Sequence, residues 1–143
     1  METLITFKTA KIAKEKSFSS CLKSTIIISW SQDRDYRTQI PYEPNCFLNG
    51  EHFEDYEYSK EEFKSLFKDD DSYSADVQIP SQSVLQKWLR EEHNIDVLIN
   101  VTIDYSSYIS TIWFKGKKIK PSGRFINYEN ALEIGLQEAL NLI

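Results

Sequence analysis

The stretch that decides the fold is Pro80 to Ile95, PSQSVLQKWLREEHNI, which leads directly into DVLINVTID at Asp96 to Asp104. Ser81 is a good N-cap residue, because its hydroxyl can accept a free amide hydrogen of the first helical turn. The apolar residues that follow share one helical stripe: Val84, Leu85, Trp88 and Leu89. Asn94 tolerates the left-handed backbone angles that end many helices. The pattern therefore predicts a central core helix followed by a strand.

The chain before this helix predicts one further long helix and a β-hairpin. Thr6 can cap a helix from Phe7 to about Lys16. Thr25 to Ser31 is rich in β-branched residues and is predicted to be a strand. Tyr36 to Tyr42 is expected to pair with it at a sheet edge, because prolines end this second strand.

Between the hairpin and the central helix, the sequence predicts irregular chain, a short helix and a short strand. Residues Asn45 to Glu57 show no regular pattern. Ser59 and Glu62 have the spacing of a capping box, which predicts that a short helix begins there. Asp76 to Ile79 is expected to be a short strand that precedes the central helix.

The C-terminal part predicts a second hairpin and a final helix. Apolar residues alternate along the strand after the central helix, which predicts one buried side made of Val97, Ile99, Val101 and Ile103. Tyr108 to Lys115 is the expected hairpin partner, Gly116 marks a tight turn, and a short strand is expected around Arg124 to Ile126. Asn127 caps the final helix. Its broad apolar face comprises Tyr128, Leu132, Gly135, Leu136, Ala139, Leu140 and Ile143. Such a face is expected to pack in the core or to form a subunit contact, which would make a homo-oligomer.

These elements predict an α+β fold in which antiparallel β-hairpins pack against two or three helices. The length of 143 residues predicts a single domain, residues 1–143, with an acidic insertion rich in Tyr and Phe at about residues 50–76. No apolar run approaches the ~20 residues that a membrane-spanning helix needs. The first residues also lack a signal-peptide pattern, so we expect a cytoplasmic protein without a membrane partner.

The net charge of −5 is unevenly distributed along the chain. Residues 51–80 hold ten acidic residues against three lysines, whereas the rest of the chain holds twelve acidic and fourteen basic residues. The candidate partner-binding acidic face comprises Glu54, Asp55, Glu57, Asp69, Asp70 and Asp71. Its carboxylates could engage a basic partner surface in the place of phosphates. The alternative is a solvated surface insertion without a partner.

A basic stretch near the C-terminus is a second candidate, for an anion, a nucleotide or a nucleic acid. Its cations are Lys115, Lys117, Lys118, Lys120 and Arg124, and the aromatic residues Trp113, Phe114 and Phe125 flank them. Cations bind phosphates and aromatic rings stack on bases, so this mixture suits such a ligand. The alternative is a solvated hairpin tip, which agrees better with the acidic balance of the whole chain.

The sequence offers no residues with the spacing of a catalytic or metal site. His93 at a helix end is interpreted as a capping or surface residue, and His52 lacks the further ligands that zinc requires. Cys21 and Cys46 lie in no nucleophile motif, and the chain has no glycine-rich phosphate loop. We therefore predict no catalytic residue, no metal and no cofactor, and we favour a protein that is not an enzyme.

Three segments carry a resemblance: PSQSVLQKWLREEHNIDVLI at Pro80 to Ile99, LITFKTAKIAKEKSF at Leu4 to Phe18, and NYENALEIGLQEALNLI at Asn127 to Ile143. They resemble a family of short, uncharacterised proteins of bacteriophages and prophages, especially those of gut bacteria. In that family we expect a glycine after the first helix, where this chain has Ser17.

The resemblance implies a phage accessory protein in the cytoplasm of the host. Such proteins often bind a host or defence component, through a protein surface or by trapping a small messenger. We therefore expect a non-enzymatic, protein-binding inhibitor. Two alternatives stay open. One is a protein that sequesters a nucleotide or nucleic acid through residues 115–124, with strongly salt-dependent binding, and the other is a small enzyme of unknown class.

Overall fold

The computed structural model of the protein describes residues 3–19, 26–31, 45–48, 51–52, 56, 61, 74–119 and 123–143. The chain divides into two compact units. The strand unit is Cys21–Ile79, and the helical unit comprises Met1–Ser20 and Pro80–Ile143. Helices and antiparallel strands are both present, which confirms the predicted α+β class. The single domain over residues 1–143 stays a prediction.

The strand unit contains a four-stranded antiparallel sheet with the order β3-β2-β1-β4. Its strands are β1 (Ile26–Ser31), β2 (Asn45–Leu48), β3 (Glu51–His52) and β4 (Ser74–Ile79). The structure confirms the predicted strands at β1 and β4. The prediction of irregular chain from Asn45 to Glu57 is wrong, because β2 and β3 lie within it. The partners of β2 are residues 26–29 of β1, and pairing between such distant residues leaves no local sequence pattern.

Two predicted elements of the strand unit fall outside the described residues. The first is Tyr36 to Tyr42, the expected hairpin partner of β1; the partners that the structure shows for β1 are β2 and β4. The second is most of the helix that was expected after Ser59. Only Glu61 of that helix is described, and it has helical conformation.

The helical unit contains three helices, α1 (Phe7–Glu15), α2 (Gln82–His93) and α3 (Tyr128–Leu140). All three predicted N-caps are confirmed: the side-chain oxygens of Thr6, Ser81 and Asn127 each accept a hydrogen bond from the amide three residues further on. Asn94 ends α2 in the left-handed conformation, with φ of 55°. Two of the four stripe residues, Leu85 and Leu89, are fully buried, which makes α2 a core helix as predicted.

The helical unit also contains a three-stranded antiparallel sheet with the order β5-β6-β7. Its strands are β5 (Ile95–Val101), β6 (Tyr108–Phe114) and β7 (Lys117–Ile119). The predicted tight turn is confirmed: Lys115 and Gly116 have φ of 51° and 71°, as a two-residue hairpin turn requires. The strand expected around Arg124 to Ile126 is only a single bridge between Phe125 and Tyr108.

The core of the helical unit lies where α2 and α3 pack on the sheet. Val97 of β5 and Ile112 of β6 are buried there with the apolar face of α3, whose innermost residues are Leu132, Leu136, Ala139 and Leu140. Burial fades along β5, so the predicted buried side is correct for Val97 and wrong for Val101 and Ile103, which are 49% and 100% exposed. The helices cover the beginning of β5 and leave its end uncovered. A homo-oligomer through the C-terminal helix stays a prediction.

Ser17 occupies a backbone position that favours glycine. Its φ is 63°, its N–H donates to the carbonyl of Lys14, and the N–H of Phe18 donates to the carbonyl of Ala13. These are the two hydrogen bonds of a Schellman motif. A side chain in this left-handed conformation costs about 1 kcal/mol that glycine avoids.

We expect Ser17→Gly to raise the free energy of unfolding by about 0.5–1 kcal/mol in urea titrations. The matched control is Ser19→Gly, because Ser19 is exposed and has no positive φ. That control should leave stability unchanged or lower it. Equal effects of the two glycines would contradict the prediction.

Candidate functional site

A buried carboxylate holds the helices of the helical unit together. Glu133 lies on the inner side of α3, and its Oε1 accepts hydrogen bonds from the backbone N–H of Thr6 at 2.8 Å, from the Thr6 hydroxyl at 2.7 Å and from the Thr9 hydroxyl. Its Oε2 accepts from Nε2 of Gln82 at 2.9 Å. The carboxylate thus meets the positive N-terminal end of α1 and the first residue of α2.

This network is structural and not a reactive centre. Both oxygens of Glu133 are engaged by protein donors, and the residue is only 8% exposed, so the carboxylate is already saturated by the fold. Gln137 extends the network by donating to the Thr9 hydroxyl at 2.9 Å. Sequence reasoning missed Glu133. The signal was present, since Glu133 lies three residues before the buried Leu136 and so on the same helix face.

Of the four residues considered for chemistry, His93 is the one whose side chain the structure describes. His93 is the last residue of α2, and its ring packs against Trp88 with 4.5 Å between the ring centres. Cys46 lies on β2 and His52 on β3, whereas Cys21 falls outside the described residues. Within the described part of the chain, no three His, Cys, Asp or Glu side chains come close enough to hold a metal ion.

The acidic face cannot be placed. All six of its residues, Glu54, Asp55, Glu57, Asp69, Asp70 and Asp71, lie outside the described residues. It therefore stays a prediction.

The basic stretch does not form one cluster. Lys117 and Lys118 lie opposite Phe114 and Trp113 across the hairpin, and Nζ of Lys115 is 5.0 Å from the centre of the Phe114 ring. Arg124 precedes Phe125, which bonds to Tyr108 at the opposite end of β6, roughly 20 Å away at 3.3 Å per strand residue. Lys120 falls outside the described residues. The hairpin tip thus carries three lysines and two aromatic residues without the arginine.

The other end of the same sheet exposes large apolar side chains. Val101 pairs with Tyr108, Tyr108 bridges to Phe125, and the ring of Tyr128 lies 6.1 Å from that of Tyr108. We call this region the apolar end, and its exposed residues are Val101 (49%), Ile103 (100%), Tyr105 (87%), Ile126 (89%) and Tyr128 (45%).

The apolar end is large enough for a protein partner. With about 150–250 Å² for a large side chain, its five residues expose on the order of 600 Å². One partner contributes about 800 Å² to a standard protein–protein interface. The largest apolar patch on a typical soluble monomer measures about 300–600 Å² and is often functional.

A hydrogen-bonded turn presents Ile103 and Tyr105 at the apolar end. The N–H of Thr102 donates to the carbonyl of Ser107 at 2.9 Å, and the N–H of Tyr105 donates to the carbonyl of Thr102 at 2.8 Å. The Thr102 hydroxyl donates to Asp104, which also accepts the N–H of Ser106 at 3.2 Å. The turn is therefore fixed from within, so little entropy is lost when a partner binds it.

Tyr105 carries backbone strain in this turn. Its φ of 56° lies in the left-handed region, where a tyrosine costs about 1–2 kcal/mol. Burial of the ring does not offset this energy, because Tyr105 is 87% exposed. The strained backbone and the exposed ring together make Tyr105 a candidate binding residue.

The same turn predicts an unusual titration. The Thr102 hydroxyl, followed by the hydroxyl and amide of Ser106, lowers the pKa of Asp104 from 3.8 to about 2. Since the pKa is depressed in the folded chain, the carboxylate stabilises the turn above pH 3.8, and this stabilisation disappears as the pH falls towards 2.

We expect the Asp104 carboxyl carbon to titrate in NMR spectra with a midpoint near 2, and we expect Thr102→Val to move the midpoint towards 3.8. Ser110→Ala changes a hydroxyl of β6 away from the turn and is the control. A wild-type midpoint near 3.8 would contradict the hydrogen-bonded turn.

A small cavity lies beside the first turns of α2 and α3. Its volume is about 190 Å³, and its lining residues are Thr3, Gln82, Ser83, Gln86, Tyr128, Glu129 and Leu132. Ligand pockets usually measure about 300–1,000 Å³. The cavity is thus a poor candidate for trapping a nucleotide-sized messenger.

Comparisons with known proteins do not assign the chain to a family. No family model, no curated protein and no solved structure matches it. No helix in the described ranges is long and apolar enough to cross a membrane. The fold and the site together define an α+β protein with an exposed apolar end and a separate lysine-rich hairpin tip.

Proposed function

We propose that this chain is a non-enzymatic protein-binding module and that the apolar end is its contact surface. The observation that carries the proposal is the rigid turn that holds Ile103 and Tyr105 out into solvent. Exposing these side chains disfavours solubility, and the Tyr105 backbone is strained. A partner that covers these side chains removes the exposed apolar surface. The strained backbone of Tyr105 holds the ring in place for that contact.

The resemblance to phage proteins extends this proposal to the identity of the partner. A phage accessory protein acts in the host cytoplasm, so the partner would be a host or defence protein that the module inhibits by covering its surface. The acidic face is a further candidate contact in the same function, since its carboxylates could meet a basic region of that partner.

Binding of a nucleotide or nucleic acid is the second candidate function. The observation that favours it is the hairpin tip, where the exposed Trp113 lies opposite Lys118 and next to Lys117. An exposed ring beside lysines can stack on a base while the cations meet phosphates. The loss of Arg124 from the cluster weakens this alternative relative to protein binding.

Photocrosslinking distinguishes the three surfaces. A benzophenone residue is placed at position 103 in the apolar end, at position 117 in the hairpin tip or at position 55 in the acidic face, and each protein is irradiated in a lysate of a gut bacterium. We expect a discrete protein adduct from position 103. An adduct only from position 55 would favour the acidic face, and a nuclease-sensitive adduct only from position 117 would favour nucleic acid. The absence of any adduct from position 103 would overturn the proposal.

We expect Tyr105→Gly to abolish the adduct at position 103 without lowering the free energy of unfolding. The substitution removes the exposed ring, and glycine relieves the positive φ, so folding does not suffer. Urea titration measures the stability, and crosslinking yield measures the contact. Trp113→Ser, at the other end of the sheet, should retain the adduct. A retained adduct in Tyr105→Gly would show that the ring is no part of the contact.

A further inference from the structure

The outer edge of β5 is open next to the apolar end. β5 is the first strand in the order β5-β6-β7, and among the described residues no other strand pairs with it. An open edge offers unpaired amide and carbonyl groups to an extended segment of another chain.

The hydrogen-bond pattern shows which residues offer these groups. Both backbone groups of Tyr108 bond to Phe125, so Val101, which lies opposite Tyr108 in β5, directs its N–H and C=O to the outer edge. Because the direction of the backbone groups alternates along an antiparallel strand, the N–H and C=O groups of Ile99 and Val97 also point to the outer edge. The carbonyl of Val97 already accepts Nε2 of Gln86 at 2.6 Å. The open part of the edge is therefore Ile99 to Val101.

This open part lacks the usual protection against association. Proteins guard edge strands with lysine, proline, bulges or inward-pointing charges. Here Leu98 and Val101 are apolar and are 47% and 49% exposed, and the exposed Asn100 between them is uncharged. The sequence places charges only at its two ends, at Asp96 and Asp104.

These two carboxylates disfavour a second copy of the chain as the occupant. In the antiparallel register that pairs Ile99 of one copy with Val101 of the other, Asp96 of each copy would approach the turn that carries Asp104 of the other. Carboxylates that approach each other in this way repel. A register shifted towards the start of β5 would need the Val97 carbonyl, which Gln86 occupies. A register shifted towards Ile103 runs into the turn.

We propose that Ile99 to Val101 bind an extended segment of the partner by antiparallel strand addition, and that this segment carries alternating apolar residues flanked by lysine or arginine, one near Asp96 and one near the turn that carries Asp104. The inference rests on the proposed protein-binding function and specifies its mode. The segment continues the sheet β5-β6-β7 by a fourth strand, and its apolar side chains, which all point to one face, cover Val101 at the apolar end.

Two synthetic peptides test the proposal by NMR. One has alternating valine and threonine between terminal lysines, and the other has the same centre between terminal glutamates. We expect the lysine peptide to slow hydrogen exchange at the amides of Ile99 and Val101, and not at Asn100, whose amide already faces β6. We expect the glutamate peptide to bind more weakly by about two- to fivefold for each ion pair. A lysine peptide that is N-methylated along its bonding edge should not bind.

Two charge-reversing substitutions provide a variant and its matched control. Asp96→Lys should weaken the lysine peptide and strengthen the glutamate peptide, whereas Glu92→Lys makes the same change in net charge on the exposed side of α2 and should not change the ratio. Unchanged exchange at Ile99 and Val101, or equal binding of both peptides, would overturn strand addition. If position 103 still yields its protein adduct in that case, protein binding stands and only its mode is wrong. If the adduct is also absent, the proposed function fails as well.

Discussion

Replacing Glu133 with alanine is expected to lower the free energy of unfolding by about 2–4 kcal/mol, because the neutral donors around the carboxylate lose a charged acceptor. The substitution leaves the N–H of Thr6 without an acceptor. Nε2 of Gln82 then keeps only the carbonyl of Glu129 as an acceptor. A buried donor without an acceptor costs about 1–3 kcal/mol. Since small domains are stable by only about 5–15 kcal/mol, this change should be visible as a large shift of the urea midpoint.

Two further variants separate the carboxylate from the general effect of changing α3. Glu138→Ala removes an exposed acid from the same helix and should change stability by less than about 0.5 kcal/mol. Glu133→Gln keeps one acceptor oxygen for Thr6 but directs a donor towards the Gln82 amide, so its cost should lie between those of the other two. A Glu133→Ala cost as small as that of Glu138→Ala would show that the network contributes nothing.

The helices and their ends could be predicted from the sequence because the signals are local. Thr6, Ser81 and Asn127 each precede an apolar stripe, and the structure confirms all three as caps. The tight turn at Gly116 could be predicted for the same reason, since two adjacent residues determine its conformation. One local signal was missed: β3 pairs with β2, and Asn49-Gly50, which lies between them in the sequence, is a typical hairpin dipeptide. The strand β2 was missed because it depends on distant residues, since it also pairs with β1.

The candidate site was harder to predict for the same reason. Alternation placed Ile103 on a buried side, but the covering helices do not reach the end of β5, so the residue is exposed. The cations of the basic stretch are neighbours in sequence, yet the chain returns after β7 to bridge Phe125 with Tyr108 and separates Arg124 from Lys115. Whether a residue is exposed, and which residues lie close together, depends on how whole helices and strands pack. No local pattern in the sequence reports that packing.

The second large effect concerns Gly135, where α3 lies closest to the sheet. A Cβ atom added there would lie 2.8 Å from Cγ1 of Val97 and 2.9 Å from Cβ of Ser110. The Cβ atom of Ser110 is fixed to the backbone of β6, and the buried, β-branched Val97 has a stiff χ1 angle, so the helix must move instead. Overpacking of this kind costs about 1–3 kcal/mol. Alanine gains about 1 kcal/mol of helix propensity over glycine, which offsets only part of it.

We therefore expect Gly135→Ala to lower the free energy of unfolding by about 1–2 kcal/mol, against the usual benefit of alanine in a helix. Val97→Ala removes one of the two obstructing atoms, so the double variant should be more stable than the sum of the single changes, with a coupling of about 0.5–3 kcal/mol. Additive effects would contradict the close approach. Because Val97 belongs to β5 and Gly135 to α3, a positive coupling would show that this helix packs directly on the strand whose far end is the proposed binding edge.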